Sequence, residues 1–219
     1  MNVFDILGPI MVGPSSSHTA GAARIAFVAR QILGEDVTSA KILLHGSFAQ
    51  TYKGHGTDKA LIGGLLGMYP DDDRIRDSFK YAKEKSLEYS FEPTDLGDVH
   101  PNTVKLILTG VSGKNIEITG CSIGGGNIKI INIDGIPVDF AGNNPTLILP
   151  HKNQPGVIAD VTKILADKNI NIGTMKVFRT DKTDYSIMVL ETDELIDDAT
   201  INKLSALDSI IKTMLIKPL

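Results

Sequence analysis

The spacing of apolar residues predicts a regular order of strands and helices in the C-terminal third of the chain. Between Gly156 and Asp167, apolar residues recur three and four positions apart, which is the pattern of an amphipathic helix. The predicted elements are, in order, strand Thr146–Leu149, helix Gly156–Asp167, strand Ile170–Arg179, turn Asp181–Asp184, strand Tyr185–Glu191, helix Asp197–Leu207 and strand Ile210–Ile216. This βαββαβ order predicts a ferredoxin-like sandwich, in which two helices cover one face of an antiparallel sheet.

The pattern in the preceding part of the chain is mixed and predicts an α+β domain. The predicted helices are Thr19–Leu33, Asp58–Met68 and Arg74–Glu88, and the predicted strands are Ala40–His45, Thr103–Thr109, Asn115–Ile123 and Ile128–Ile133. The last three strands form an antiparallel meander, because glycine-containing turns separate them. We therefore predict an α+β fold with two domains, residues 1–141 and 146–219, joined by a linker at Ala141–Pro145.

Composition and charge remove several classes of function. The chain has 42% apolar and 22% charged residues, which is typical of a globular protein. Its formal net charge of -4 provides no basic field, so we expect no nucleic-acid partner. The longest apolar run, Leu61–Tyr69, is far shorter than the ~20 residues of a membrane span, so no membrane partner is expected either. The N-terminus shows no secretory signal pattern, which favours a cytoplasmic protein.

A single cysteine, Cys121, limits the metal chemistry that this chain can support. One thiol cannot form an internal disulfide, and it cannot build a multi-cysteine metal site from this chain alone. We therefore expect no metal site within the chain.

A serine-rich loop is the most unusual local feature of the sequence. Ser15, Ser16, Ser17 and His18 come directly before a predicted helix. The start of a helix has unpaired N–H groups and a positive dipole end, so it can receive a carboxylate or a phosphate. The alternative is structural: one serine is the N-cap of the helix, and the others contact solvent.

Two further loops carry histidine. His55 lies between Gly54 and Gly56, just before the second predicted helix, where an imidazole could transfer a proton near neutral pH. The alternative is that Thr57 or Asp58 caps that helix and His55 is an exposed loop residue. The second loop is His100-Pro-Asn102-Thr103, whose amide could fix a carboxylate or a hydroxyl, and a glycine run at 124–126 predicts a bulge or tight hairpin.

Taken together and in order, these motifs resemble a known family. The motifs are Gly13-Pro-Ser-Ser-Ser-His-Thr19, Gly54-His-Gly-Thr-Asp58, His100-Pro-Asn-Thr103 and Ser122-Ile-Gly-Gly-Gly126. They resemble the β part of the iron–sulfur L-serine dehydratases, and the C-terminal residues resemble an ACT domain, a small-molecule-sensing module. The resemblance implies conversion of L-serine to pyruvate and ammonia with a partner α chain. In this family the α chain carries the cysteines of a 4Fe–4S cluster, so Cys121 is expected to be a buried strand residue rather than a ligand.

The resemblance also implies roles for the residues of these loops. The substrate carboxylate would be received by Ser15, Ser16, Ser17 and His18. His55, with Thr57, would act at the α-proton, and His100 with Asn102 would complete a polar wall facing the cluster.

The C-terminal module has its own candidate ligand site. His151 and Asn153 lie in a His-x-Asn-x-Pro-Gly turn, and Asn171 lies at the start of the next strand. This arrangement resembles the ACT domain of D-3-phosphoglycerate dehydrogenase, which binds L-serine between two domains. The resemblance implies regulatory L-serine binding and homodimerisation through the ACT domain. The alternative is that the turn is only what the fold requires, with His151 exposed.

Two alternatives from other classes remain at this point. The chain could be a stand-alone serine sensor without catalysis, or a metal-independent lyase that uses His55 as its base. The second is weaker, because expulsion of hydroxide normally needs a Lewis acid or a covalent electron sink. No lysine lies in a recognisable pyridoxal-phosphate setting.

Overall fold

The structure is a computed structural model that describes residues 10–179 and 184–218. The chain divides into two compact units, Met1–Gly135 and Ile136–Leu219, which are described separately below. In the described ranges, no helix combines the length and the apolar character needed to cross a membrane.

The longest helix of the first unit packs against a second helix and against the sheet. A π-helical turn, Ser16–Ala20, runs directly into α1 (Gly21–Leu33), so the predicted first helix is confirmed. Gly34 ends α1 in the left-handed conformation, with φ 84°. The remaining helical segments are α2 (Gly46–Thr51), α3 (Thr57–Leu65), a 3₁₀ turn (Asp73–Asp77) and α4 (Ser78–Glu84). Close packing of α1 on α3 depends on Gly64, because a Cβ there would lie 2.3 Å from the carbonyl oxygen of Ala23.

The strands of the first unit are arranged around a central antiparallel meander. They are β1 (Val37–Leu44), β2 (Glu88–Pro93), β3 (Thr103–Gly110), β4 (Asn115–Gly124) and β5 (Asn127–Ile133). Their order is β2-β1-β3-β4-β5, with β1 and β2 parallel and the other neighbours antiparallel. Helix α1 packs on β4, where a Cβ at Gly120 would lie 2.9 Å from Cγ2 of Ile25. The predicted meander is confirmed.

One prediction about the first unit is wrong. The predicted helix Arg74–Glu88 stops at Glu84, and the chain from Glu88 forms strand β2 beside β1. Ser86 adopts φ 55°, which breaks the helix and turns the chain into the sheet. The short helix α2 lies in a stretch for which the sequence pattern predicts no helix or strand.

The second unit has the predicted βαββαβ order, preceded by one further strand. Its elements are β6 (Ile136–Phe140), β7 (Thr146–Lys152), α5 (Val157–Ala166), β8 (Ile172–Arg179), β9 (Tyr185–Thr192), α6 (Asp198–Ser205) and β10 (Met214–Ile216). The sheet has the order β10-β7-β9-β8, and every neighbouring pair is antiparallel. Apart from Asp184, the predicted turn at 181–184 lies outside the described residues. The last strand is shorter than predicted, since Ile210 makes only an isolated bridge to His151.

One hydrophobic core holds the second unit together. Leu147 and Leu149 of β7 and Leu190 of β9 pack against Val161 of α5 and Leu204 of α6, all of them fully buried. Both helices therefore cover the same face of the sheet, which confirms the ferredoxin-like sandwich.

Candidate active site

The serine loop is folded by its own side chains. Ser15 has an extended backbone, and its hydroxyl accepts a hydrogen bond from the N–H of His18 at 3.1 Å. Ser15 is therefore the N-cap of the helical segment. Gly13 has φ 126°, and a Cβ there would lie 2.4 Å from Cγ2 of Thr19, so the tight turn of the loop needs glycine.

The ring of His18 is held at both nitrogens. Its Nδ1 lies 3.1 Å from Oγ of Ser17, and its Nε2 lies 2.9 Å from Oγ of Ser47. The ring also meets the edges of Phe48 and His55, with centroids 5.4 and 4.9 Å away. Burial, and then the positive charge of His55, lower the pKa of His18 from its ordinary value. His18 is therefore favoured in its neutral form.

His55 lies in the loop between α2 and α3, and the backbone of this loop is tied to the serine loop. Its N–H donates to the carbonyl of Thr51 at 3.1 Å, and its own carbonyl accepts from Oγ1 of Thr19 at 3.1 Å. Gly56 has φ 69° and precedes α3 without a side-chain cap. The alternative in which Thr57 or Asp58 caps α3 is therefore wrong, although the ring of His55 is exposed as that alternative expected.

The loop of His100 and Asn102 joins this cluster indirectly. The carbonyl of Pro101 accepts from the N–H of Ser47 at 2.9 Å. Nδ1 of the exposed His100 accepts from the N–H of Asn102 at 3.0 Å, and the carbonyl of Asn102 accepts from the N–H of Ser122. The structure thus brings His18 and His55 into direct contact, whereas His100 and Asn102 are connected to them through Pro101 and Ser47.

Ser47 is the residue of this cluster that the sequence patterns did not single out. It lies in a glycine-rich stretch, and its only sequence signal is its position just after the end of a predicted strand.

A small cationic pocket lies beside His55. Its volume is about 270 Å³, and it extends from the serine loop at Gly13 and Thr19 to the loop at Gly54–Gly56. Its charged lining residues are Lys53, Lys59 and Arg76. Asp58 lies nearby: burial raises the pKa of its carboxyl, and the charges of Lys59 and Lys53 oppose that rise. A pocket of this charge fits a small anion such as a carboxylate.

Two hydroxyls near the cluster are fully buried. Oγ1 of Thr57 and Oγ of Ser122 have no hydrogen-bond partner among the described residues. Thr57 is therefore less accessible than a role at the α-proton would suggest. The glycine run at 124–126 connects β4 to β5, and all three glycines have positive φ, so the predicted tight hairpin is confirmed.

The donor atoms of the described residues do not fit an iron–sulfur cluster. Cys121 is 4% exposed on β4, where it pairs with Thr103 and Lys129 across the sheet. Within residues 10–179 and 184–218, no group of three or more His, Cys, Asp or Glu side chains could hold a metal ion. The expectation that Cys121 is a buried strand residue is confirmed.

The predicted ligand residues of the second unit do not meet within one chain. His151 is 3% exposed, its Nδ1 contacts the carbonyl of Lys152 at 2.9 Å, and its Nε2 is buried without a partner in the described part of the chain. The alternative interpretation, in which the turn serves only the fold, expected an exposed His151, and that expectation is wrong. The backbone N–H of Asn153 donates to the carbonyl of Asp184 at 3.3 Å.

Asn171 lies towards the opposite end of the same sheet. Its side-chain amide donates to Oδ2 of Asp193 at 2.6 Å. On β9, His151 faces Ser186, whereas Ile172 of β8, which follows Asn171, faces Thr192. At ~3.3 Å per residue, these two positions on β9 are roughly 20 Å apart. His151 and Asn171 of one chain therefore cannot bind the same small ligand.

The fold and the clustered loops define a class of protein: an α+β unit that carries a polar candidate active site, together with a unit of the ACT type. The family profile described as "Serine dehydratase beta chain" matches residues 2–89, and the profile of the "ACT domain" matches residues 146–209. The chain belongs to the serine dehydratase β-chain family.

Named relatives match most of the chain. "Probable L-serine dehydratase, beta chain" of Bacillus subtilis is 45% identical over 211 residues, covering 96% of each chain. "L-serine dehydratase, beta chain" of Peptoniphilus asaccharolyticus is 46% identical over 194 residues, covering 88% of this chain and 87% of the relative. "D-3-phosphoglycerate dehydrogenase" of Bacillus subtilis is 28% identical over 196 residues, covering 89% of this chain and 37% of that one.

Proposed function

We propose that this chain is the β subunit of an L-serine dehydratase, which converts L-serine to pyruvate and ammonia together with an α chain. The observation that carries the proposal is the contact between His18 and His55, which brings two separate motif loops to one place. The two β-chain relatives, which match nearly the full length of this chain, support the same activity.

The reaction needs a base at the α-carbon and a receptor for the carboxylate. His55 is the exposed imidazole of the cluster, and we assign it the role of accepting the α-proton. Loss of that proton and of the β-hydroxyl as water leaves an aminoacrylate, which tautomerises and hydrolyses to pyruvate and ammonia. The carboxylate would lie between the serine loop (Ser15, Ser16, Ser17 and His18) and the cationic pocket beside His55.

The partner α chain is assigned the metal centre. The donor set of the described residues does not fit a cluster, and this supports the proposal that the 4Fe–4S cluster implied by the family resemblance belongs to the α chain. In this proposal, His100 and Asn102 form the wall of the site that faces the partner. Their accessible position before β3 supports that placement.

The second unit is assigned a regulatory site for L-serine between two copies of the chain. His151 and Asn153 of one copy and Asn171 of the other would form each site. The distance between these residues within a single chain supports a shared site, because a two-fold axis could bring opposite ends of two sheets together. The buried, unpartnered Nε2 of His151 supports a polar ligand at this position. This arrangement also implies homodimerisation through the ACT domain.

The activity is tested by reconstituting the chain with its α chain. We expect His55→Ala to abolish L-serine turnover while assembly and iron content remain unchanged. The control is Lys80→Ala, which removes an exposed side chain of α4 that lies outside the site loops. Near-normal turnover of His55→Ala would remove His55 from the mechanism. If the wild-type assembly binds L-serine but produces no pyruvate, the chain is instead a serine sensor.

A further inference from the structure

Ser47 occupies a distinctive place in the site. It lies in the first turn of α2, and its hydroxyl is 2.9 Å from Nε2 of His18, 29 positions earlier in the chain. Its N–H meanwhile donates to the carbonyl of Pro101 at 2.9 Å. One residue therefore contacts the serine loop with its side chain and the loop of His100–Thr103 with its backbone.

The backbone around Ser47 is held tightly in this position. Gly46 has φ 54°, and a Cβ there would lie 2.6 Å from the carbonyl oxygen of Pro101, so the two loops approach as closely as glycine allows. On the other side, Oγ1 of Thr51 donates to the carbonyl of Ser47 at 2.8 Å. These contacts fix the backbone of Ser47, and therefore also the position from which its hydroxyl reaches His18.

The serine hydroxyls at both nitrogens of His18 restrict the orientation and the tautomer of its ring. A neutral imidazole has one N–H donor and one acceptor, while a serine hydroxyl can both donate and accept. With Ser17 at Nδ1 and Ser47 at Nε2, one hydroxyl accepts and the other donates, so both nitrogens of a neutral ring are satisfied. Without Ser47, the ring loses its hydrogen bond at Nε2 and can rotate away from His55.

We propose that Ser47 is a positioning residue of the dehydratase site, which holds the ring of His18 edge-on against His55 and couples this pair to the loop of His100–Thr103. The proposal rests on the proposed function, since it assigns Ser47 a part in the same reaction. Ser47 acts through His18, and no contact with substrate is assigned to it.

The first experiment needs no partner chain. The imidazole protons of the full-length chain are followed by NMR as the pH changes, for wild type, Ser47→Ala and Ser47→Thr. His55 is the titratable group that faces His18, and its charge is one of the two causes that lower the pKa of His18. In Ser47→Ala we expect the pKa of His18 to rise towards its ordinary value and the contact between the two rings to be lost. Ser47→Thr keeps a hydroxyl and should titrate as wild type does.

The second experiment measures turnover in the assembly with the α chain. We expect Ser47→Ala to lower kcat about 10- to 100-fold, because displacement of a positioned group by ~1 Å costs up to ~100-fold. Ser47→Thr should restore most of that loss. The matched control is Ser112→Ala, which removes a hydroxyl that donates to Glu35 at 2.8 Å on an exposed turn; kcat should be unchanged.

The outcomes separate this proposal from the proposed function. If the wild-type assembly does not turn over L-serine, the proposed function fails, and the NMR titration still decides whether Ser47 positions His18. An unchanged titration of His18 in Ser47→Ala, or a kcat within twofold of wild type, would overturn the positioning role.

Discussion

Replacing Gly46 by alanine tests the close approach that supports the candidate site. Gly46 and Gly56 both have a left-handed backbone, with φ 54° and 69°. An L-residue in this conformation costs about 1–2 kcal/mol. The surroundings of the two positions differ: a Cβ at Gly46 would lie 2.6 Å from the carbonyl oxygen of Pro101 and 2.9 Å from its Cα, whereas a Cβ at Gly56 meets nothing within 4 Å. Gly56→Ala is therefore a matched control for backbone strain.

The expected magnitudes follow from these contacts. Gly56→Ala should lower the free energy of unfolding by about 1–2 kcal/mol, through backbone strain alone. Gly46→Ala should add about 1–3 kcal/mol, because backbone atoms must move to relieve the overlap with Pro101. The total expected for Gly46→Ala is therefore about 2–5 kcal/mol.

Urea unfolding of the full-length chain, followed by circular dichroism, measures both variants. The midpoint and the slope of the transition give the loss of stability if the slope is unchanged. Equal losses in Gly46→Ala and Gly56→Ala would refute the reasoning, since the loops would then not be in the contact described. A larger loss in Gly56→Ala would refute it as well.

Three further predictions concern the charges and ligands of the two units. Lys53→Met should raise KM for L-serine about tenfold or more with kcat little changed, as expected for loss of uniform binding, whereas Lys80→Met on α4 should not. Because the pKa of His18 is lowered in the folded chain, the unfolded chain binds more protons at pH values between that lowered pKa and the ordinary value of ~6.5. The free energy of unfolding should therefore fall as the pH drops through ~6.5, and His18→Asn should flatten this slope in pH-dependent urea melts. In the full-length Lys53→Met chain, whose substrate site is weakened, adding His151→Ala should abolish the remaining calorimetric binding of L-serine, and persistence of that binding would contradict the assigned ACT site.

Some helices and strands could be predicted from the sequence because the apolar spacing and turn residues that define them lie close together in the chain. Helix α5 and the meander β3–β5 combine regular apolar spacing with clear turn residues, so local physics and the final fold agree. Strand β2 lacks this signal: most of its residues are exposed, and its backbone pairs only because β1 lies beside it. The segment is therefore a strand because it pairs with β1, which lies more than 40 positions earlier in the chain.

The sequence by itself determined the fold class, the order of the ACT-type unit and the loops that carry chemistry, because residue types and spacing act locally. Only the tertiary structure decided which of those residues meet. In the tertiary structure, His18 contacts His55, and Ser47 contacts both the serine loop and the loop of His100–Thr103. His151 and Asn171, in contrast, lie far apart along one sheet. The physical reason is that such contacts depend on strand register and on the close approach of backbones, and no local pattern of apolar residues encodes either.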